Sequence, residues 1–267
     1  MPNKLDYVKT PKPNESATVF SPSQFSKFID KPHNWYREQI LEEEGFTGNT
    51  SSVIGTIVHY IAETVAKGLS VDKEEIARYI AAKEPSEDYD PVVVEAMYPT
   101  MAEALVNGYV LENKNNYHAT EESLITEIDK NCFLGGTIDV IQGSLQDAMI
   151  VDYKTYNNKI KPKAIPNYYK YQLLCYAAMA KANGYNVTRI RLVYVNRPIE
   201  GAISEKTGKR LKSYPSEVTV LTEELTEDDM KFIKSMLYLA VDSLEAAKDH
   251  PELVHVIFHD PRLKENK

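Results

Sequence analysis

Two short apolar segments, each interrupted by a carboxylate, constrain this chain more than anything else in it. Gly136-Thr137-Ile138-Asp139 is followed eleven residues later by Ile150-Val151-Asp152-Tyr153-Lys154-Thr155. Both read as strands, and residues i and i+2 of a strand project to one face. Asp152 and Lys154 therefore point together while Tyr153 points away, and pairing of the two strands as a hairpin brings Asp139 to them. An aspartate inside an apolar strand is poor strand chemistry. Two carboxylates and an ammonium on one surface form a minimal site for a divalent cation and an activated water.

The segments around this pair predict an α/β protein: a mixed β-sheet flanked by helices, with a helical N-terminal subregion. Residues 1–20 are expected to be a flexible arm, 21–250 a single domain with its catalytic core at about 54–195, and 251–267 a C-terminal tail. Ser21-Pro22-Ser23-Gln24 is a helix start with a serine cap and a proline in the first turn, and Pro32 is expected to end that helix. Residues 42–52 read as a loop. A helix is expected from Ile54 to Lys67 and closes at Gly68. Asp72 caps another, and Asp90-Pro91 opens a longer helix that Pro99 is expected to kink or interrupt. From residue 118 the period turns strand-like: 118–128, 133–142 and 148–155 predict a meander. A helix over 166–183, a strand over 188–195, a hairpin around Thr207-Gly208 and a helix from Thr226 complete the order.

Length and composition set the bounds. A chain of 267 residues, 43% hydrophobic and 26% charged, can bury a substantial core. No apolar run approaches the ~18 residues of a membrane span, and the polar N-terminal stretch lacks the apolar core of a secretory leader. Cys132 and Cys175 form no CxxC pair, which suits a reducing compartment, and a cytoplasmic location is expected. The net charge of −8 argues against a protein that coats nucleic acid. A local basic track remains possible: Lys159, Lys161, Lys163 and Lys170 follow the second strand, and Lys206, Lys209, Arg210 and Lys212 lie in the expected hairpin.

Asp139 and Asp152 are hard oxygen donors suited to Mg²⁺ or Mn²⁺, and the Tyr153 carbonyl can add a backbone ligand. Lys154 can orient or deprotonate a water, or offset developing phosphate charge. His59, with Glu63 one turn beyond it, borders the apolar face of its helix; it is either a core histidine or an imidazole ligand. Gln172 and Tyr176 share a helix face and can bind phosphate or a base, or form an ordinary amphipathic face. Tyr168, Tyr169 and Tyr171 offer rings for stacking on unpaired bases. His250, His255 and His259 lack a cysteine partner, so no zinc site is expected there. P-loop, dinucleotide and serine-hydrolase signatures are absent.

Taken in order, these residues resemble the PD-(D/E)XK nuclease superfamily, and within it the RecB-like exonuclease branch. Ser21-Pro22-Ser23-Gln24-Phe25, Gly55 to His59, Gly136 to Asp139, Asp152-Tyr153-Lys154-Thr155 and Gln172 to Tyr176 match that branch's motifs over roughly residues 21–195. The resemblance implies a restriction-endonuclease-like core with His59, Asp139, Asp152 and the Tyr153 carbonyl around Mg²⁺ or Mn²⁺. It further implies Lys154 as the catalytic lysine, with Gln172, Tyr176 and the lysines at 159, 161 and 163 toward DNA. Iron–sulfur relatives use four cysteines, and two cannot hold such a cluster, so none is expected. The expected activity is metal-dependent exonuclease cleavage of DNA with a free end, in recombination, end processing or degradation, in a phage-type stand-alone enzyme. A recombinase or single-strand-binding partner and an oligomer are compatible with it. The competing readings are a non-catalytic DNA-binding or assembly protein of the same fold and a structure-specific endonuclease.

Overall fold

The computed structural model describes residues 13–14, 17–39, 41, 49–83, 86–129, 131–156, 161–199 and 213–258. Six strands form one mixed sheet: β1 (Thr18–Phe20), β2 (Tyr117–Asp129), β3 (Cys132–Ser144), β4 (Asp147–Tyr156), β5 (Val187–Asn196) and β6 (Val218–Glu224). The order is β1-β3-β4-β5-β6, with β2 on the other edge of β3. The β2-β3-β4 run is the expected antiparallel meander, β5 joins β4 in parallel, and β6 closes antiparallel on β5.

Helices cover both faces. On one lie α1 (Pro22–Asp30), α2 (Pro32–Gln39), α7 (Asn167–Ala182) and α8 (Glu227–Asp249), whose Phe25, Trp35, Leu173, Cys175, Ile233 and Val241 pack on Ile138, Ile150 and Leu192. On the other lie α3 (Thr50–Ala66), α4 (Lys73–Ala81) and α5 (Pro91–Leu105), packing Ile54, Ile57, Val58 and Met101 on Val140, Val151 and Val193. Two separate apolar layers on one sheet explain why β4 and β5 are nearly continuous in hydrophobicity. No helix among the described residues is long and apolar enough to cross a membrane.

Local chemistry sets the helix starts. The Ser21 hydroxyl accepts the Gln24 N–H at 3.2 Å, and the Gln24 amide oxygen accepts the Ser21 N–H at 2.9 Å, a reciprocal cap. Asn49 and Ser52 do the same for α3, which therefore begins four residues before the expected Ile54. That first turn is polar, so apolar periodicity does not reveal it. Pro32 does end α1, but it also opens α2, because a first-turn proline lacks only an N–H that the helix does not use.

Pro99 does not interrupt α5. Its side of the helix is exposed, so the carbonyl it leaves unbonded can face water. The helix instead loosens just beyond, in a π-helical turn (Val106–Val110), before α6 (Leu111–Asn113) and a 3-10 turn (Lys114–Asn116). Residues 18–20, placed in the arm by sequence, form β1 against residues 132–134 of β3. Residues 254–258, placed in the tail, form α9 (Val254–Ile257) and insert Phe258 fully into the core, stacked on Tyr36 at 4.3 Å. Each is a short segment whose partner lies more than a hundred residues away, beyond the reach of local pattern. The expected hairpin around Thr207-Gly208 and most of the 42–52 loop fall outside the described residues.

Candidate active site

The site grows out of one irregularity in the sheet. Along one edge of β3, residues 132–134 pair with β1 and residues 140–144 pair with β4. Between them, from Gly135 to Asp139, neither strand pairs with that edge. The β3–β4 ladder stops at Val140–Val151, so the next two residues inward, Asp139 and Asp152, face each other where the strands part. The Asp139 carboxylate enters this fork and accepts the Tyr153 backbone N–H at 2.7 Å. A side chain thus replaces the missing ladder bond, which satisfies a backbone donor that would otherwise be orphaned.

Two glycines let the helices approach the fork. A Cβ on Gly136 would lie 2.8 Å from Pro22 Cδ, so only glycine lets the start of α1 rest on β3. A Cβ on Gly55 would lie 3.3 Å from Thr155 Oγ1, and that close passage sets α3 beside the end of β4. One turn further along α3, His59 reaches the fork with Nδ1 3.4 Å from Asp139 Oδ2. On the other side Lys154 Nζ lies 2.6 Å from Asp152 Oδ2 and 5.6 Å from the centre of the Tyr169 ring.

Burial and charge act against each other at every one of these groups. Burial pushes the Asp152 carboxyl up to about 6, with Lys154 opposing and Asp139 adding to the rise. Burial also works against ionised Asp139, but His59, Lys154 and the Tyr153 N–H together hold it below the ordinary carboxylate range. Lys154 and His59 lose charge stability by burial and regain more from the two aspartates, so both sit above their usual values. This mutual dependence among buried groups is common at functional sites.

Sequence reasoning missed Glu121. It stands across β2–β3 from Asp139, with φ +52°, at the one position where the ladder from Thr120–Val140 to Glu122–Ile138 skips a pair while keeping its register. Burial, reinforced by Asp139, pushes its carboxyl up to about 8. The one available signal was the polar run Thr120-Glu121-Glu122-Ser123, which breaks the alternation of β2.

Gln172 and Tyr176 share a face of α7 as expected, and Gln172 Nε2 donates to the Tyr176 hydroxyl at 3.1 Å. Both are buried, and Tyr176 Cε1 lies 3.6 Å from where a Gly136 Cβ would stand, so the pair forms the floor under this part of β3; the Tyr176 phenol, raised by burial, is raised further by Asp152 and Asp139. The lysine track is less open than its sequence suggests. Lys161 is ion-paired with Glu217, and Lys170 contacts Glu223 at 3.0 Å and Asp229 at 3.2 Å. Lys163 is exposed, and Lys159 lies outside the described residues. Nor do the tyrosines form one platform: Tyr168 reaches the Ser23 carbonyl, Tyr169 packs on Tyr194, and Tyr171 packs on Phe232. His250 sits 3.4 Å from Glu252, and His259 lies outside the described residues.

Among the described residues no three His, Cys, Asp or Glu side chains close on a common point; the donors stand as two pairs, His59–Asp139 and Asp152–Lys154. Their chemistry suits a hard divalent cation all the same. Asp152 is 2% exposed, and its Oδ2 makes no hydrogen bond of acceptable geometry even with Lys154 beside it. A buried, under-coordinated carboxylate oxygen next to a second carboxylate and an imidazole is a donor set that Mg²⁺ or Mn²⁺ can use. Cys132 and Cys175 are both buried with their thiols raised by burial, the behaviour of inert core cysteines.

Known proteins were compared with this chain in fold and in sequence. A crystal structure of an Eubacterium rectale protein named "Putative exonuclease" aligns over 98% of this chain and 94% of its own, with a TM-score of 0.51 at 11% identity. Such identity speaks for the fold alone. The structure of LHK-Exo in complex with dAMP aligns over 75% of this chain and 95% of its own, at 13% identity and a TM-score of 0.37. No curated protein matches. The sequence model of one family matches residues 19–250, a stretch that runs from β1 to the end of α8 and encloses the fork with its two aspartates, lysine and histidine. By that match and by its sheet, the chain belongs to the PD-(D/E)XK nuclease superfamily.

Proposed function

We propose that this protein is a Mg²⁺- or Mn²⁺-dependent deoxyribonuclease of the RecB-like branch, acting as an exonuclease on DNA ends. The observation that carries the reading is the fork itself: the pairs His59–Asp139 and Asp152–Lys154 flank the gap where β3 and β4 separate. Asp139, Asp152, His59 and the Tyr153 carbonyl would hold the cation. When bound, that cation supplies an acidified water and neutralises charge on the scissile phosphate.

The chain's own residues do the rest. Asp139, fixed by the Tyr153 N–H and by His59, is held in a single orientation before any ligand arrives. Asp152 and Lys154 lie on the same face of β4, so the ammonium is set to orient the attacking water and offset negative charge on the phosphate. Tyr169, beside the lysine, limits the directions it can take. Gln172 and Tyr176 keep the floor rigid beneath the reacting groups.

The reading is tested by incubating the protein with end-labelled linear DNA and with covalently closed circular DNA, each with Mg²⁺ or Mn²⁺. Loss of the linear substrate, persistence of the circle, and inactivity of Asp152→Ala and Lys154→Ala are expected. Inactive wild type with both metals, or full activity in either variant, defeats the nuclease reading. Cleavage of the circle converts it to an endonuclease.

A further inference from the structure

A second polar cleft, of about 690 Å³, opens on the α3–α5 side of the sheet at the end away from the fork. It lies between the 3-10 turn at 114–116, the β3–β4 turn and the start of β5. Along β4 the cleft residue Met149 is three positions from Asp152, about 10 Å at strand rise. The nuclease mechanism uses none of its residues.

Its chemistry is built around Arg191. The guanidinium donates through Nε to Thr222 Oγ1 at 2.8 Å and through Nη1 to the Tyr109 hydroxyl at 3.1 Å. Tyr109 belongs to the π-helical turn, a feature that recurs at functional sites, and it donates in turn to Gln142 Oε1 at 3.1 Å. Gln142 Nε2 then reaches Asn113 Oδ1 at 3.4 Å. This relay fixes one planar fork of donors at the cleft wall. Among the described residues Arg191 has no carboxylate within ion-pair distance. The one carboxylate lining the cleft, Asp147, is engaged by Arg189 at 3.0 Å and by Thr188 at 2.6 Å. The cleft therefore carries one uncompensated guanidinium, with the exposed amide of Asn115 at its mouth.

We propose that this cleft is a phosphate-ester binding site separate from the catalytic fork, with Arg191 as its anchor. A guanidinium held on two sides presents its remaining N–H groups in the geometry that suits phosphate oxygens. The volume lies in the range that holds a mononucleotide. The phosphate belongs either to a free mononucleotide or to the backbone of a DNA strand. The choice of phosphate over a carboxylate ligand rests on the family of the chain.

The test uses the full chain in EDTA, so that binding is read without turnover. Affinities of inorganic phosphate, dAMP, malonate and a 5′-hydroxyl single-stranded decamer are measured for wild type, Arg191→Gln and Asn115→Asp. At least tenfold weaker binding of phosphate and dAMP in both variants upholds the site with a free phosphate ester as ligand. A tenfold loss for the decamer, with the salt slope reduced by about one, upholds it with a DNA strand as ligand. Should Arg191→Gln not keep the native circular dichroism, exposed Asn115→Asp decides by the same threshold. Binding unchanged in the folded variants, no binding to wild type, or malonate bound as tightly as phosphate overturns the proposal. DNA cleavage by wild type with Mg²⁺ is scored alongside: cleavage without cleft binding overturns this inference alone, and cleft binding without cleavage overturns the nuclease reading alone.

Discussion

Gly136→Ala isolates the contact that seats α1 against the sheet. Gly136 has no positive φ, so alanine meets no backbone penalty there, and its effect comes from the added methyl alone. That Cβ would stand 2.8 Å from Pro22 Cδ, about 0.6 Å inside the shortest ordinary contact of 3.4 Å. The neighbour cannot swing away, since it is a ring in the first turn of α1, held by the Ser21–Gln24 reciprocal cap. Tyr176 Cε1, 3.6 Å away, bounds the other side. Relief requires moving α1 outward, and overpacking of this kind costs about 1–3 kcal/mol. For a domain of this size that corresponds to a fall in Tm of about 2–12 °C. Urea denaturation measures it, with Pro22→Ala as a second background. Removing the ring carbon should cut the effect of Gly136→Ala by at least half, a coupling between two touching residues. An equal loss in both backgrounds, or none in either, refutes the argument that this contact is why position 136 is glycine.

Phe258→Ala should destabilise the protein by about 3–5 kcal/mol in urea, because a fully buried ring stacked on Tyr36 is lost; an effect below 1 kcal/mol would return residues 254–258 to the status of a tail. Asp229 caps α8 through Thr226 and is held below the usual carboxylate range, since the Thr226 hydroxyl and N–H and Lys170 outweigh burial. Its folded pKa is depressed, so its stabilisation is present above the unfolded value near pH 4 and lost as pH falls through the folded one. Asp229→Asn should therefore cost about 1 kcal/mol at pH 7, and that cost should shrink steadily as the pH is lowered below about 4, read from urea midpoints along a pH series. Glu121 has the opposite sign: its folded pKa is raised to about 8, so the metal-free protein loses stability between about pH 4.5 and 8 as the pH rises. Glu121→Gln should flatten that slope in thermal melts with EDTA, and an unchanged slope would show that Glu121 ionises freely.

Much of the site was legible because it depends on local repeat geometry. The two-residue period of β4 puts Asp152 and Lys154 together, and helical spacing puts Gln172 over Tyr176; both hold in the fold. Local pattern alone does not separate core from ligand at His59, since its helix face is apolar and its partner Asp139 is eighty residues distant. What alternation could not reveal is the fork. Ile138 packs with the α1–α7 layer and Val140 with the α3–α5 layer, although both are even-numbered; the change falls where Glu121 of β2 has φ +52° and its pair with Asp139 is missing from the ladder. That change of facing is a tertiary event, and it is also what turns Asp139 into the gap between the strands. The lysine track misled for a related reason. Lys161 and Lys170 look free in sequence, but the acidic partners Glu217, Glu223 and Asp229 lie just before β6, on it and on α8, far along the chain.

The central claim is that Asp139 and Asp152 hold a cation while Lys154 serves the reaction rather than the metal. Mn²⁺ binding, followed by electron paramagnetic resonance on wild type, Asp152→Ala and Lys154→Ala with cleavage of linear DNA scored on the same samples, separates these roles. Wild type should bind and cut, Asp152→Ala should do neither, and Lys154→Ala should bind Mn²⁺ within a few-fold of wild type yet cut at least a hundredfold more slowly, on the order of the effect of losing one preorganised electrostatic group. Unchanged Mn²⁺ binding in Asp152→Ala, or wild-type cleavage by Lys154→Ala, would contradict the account.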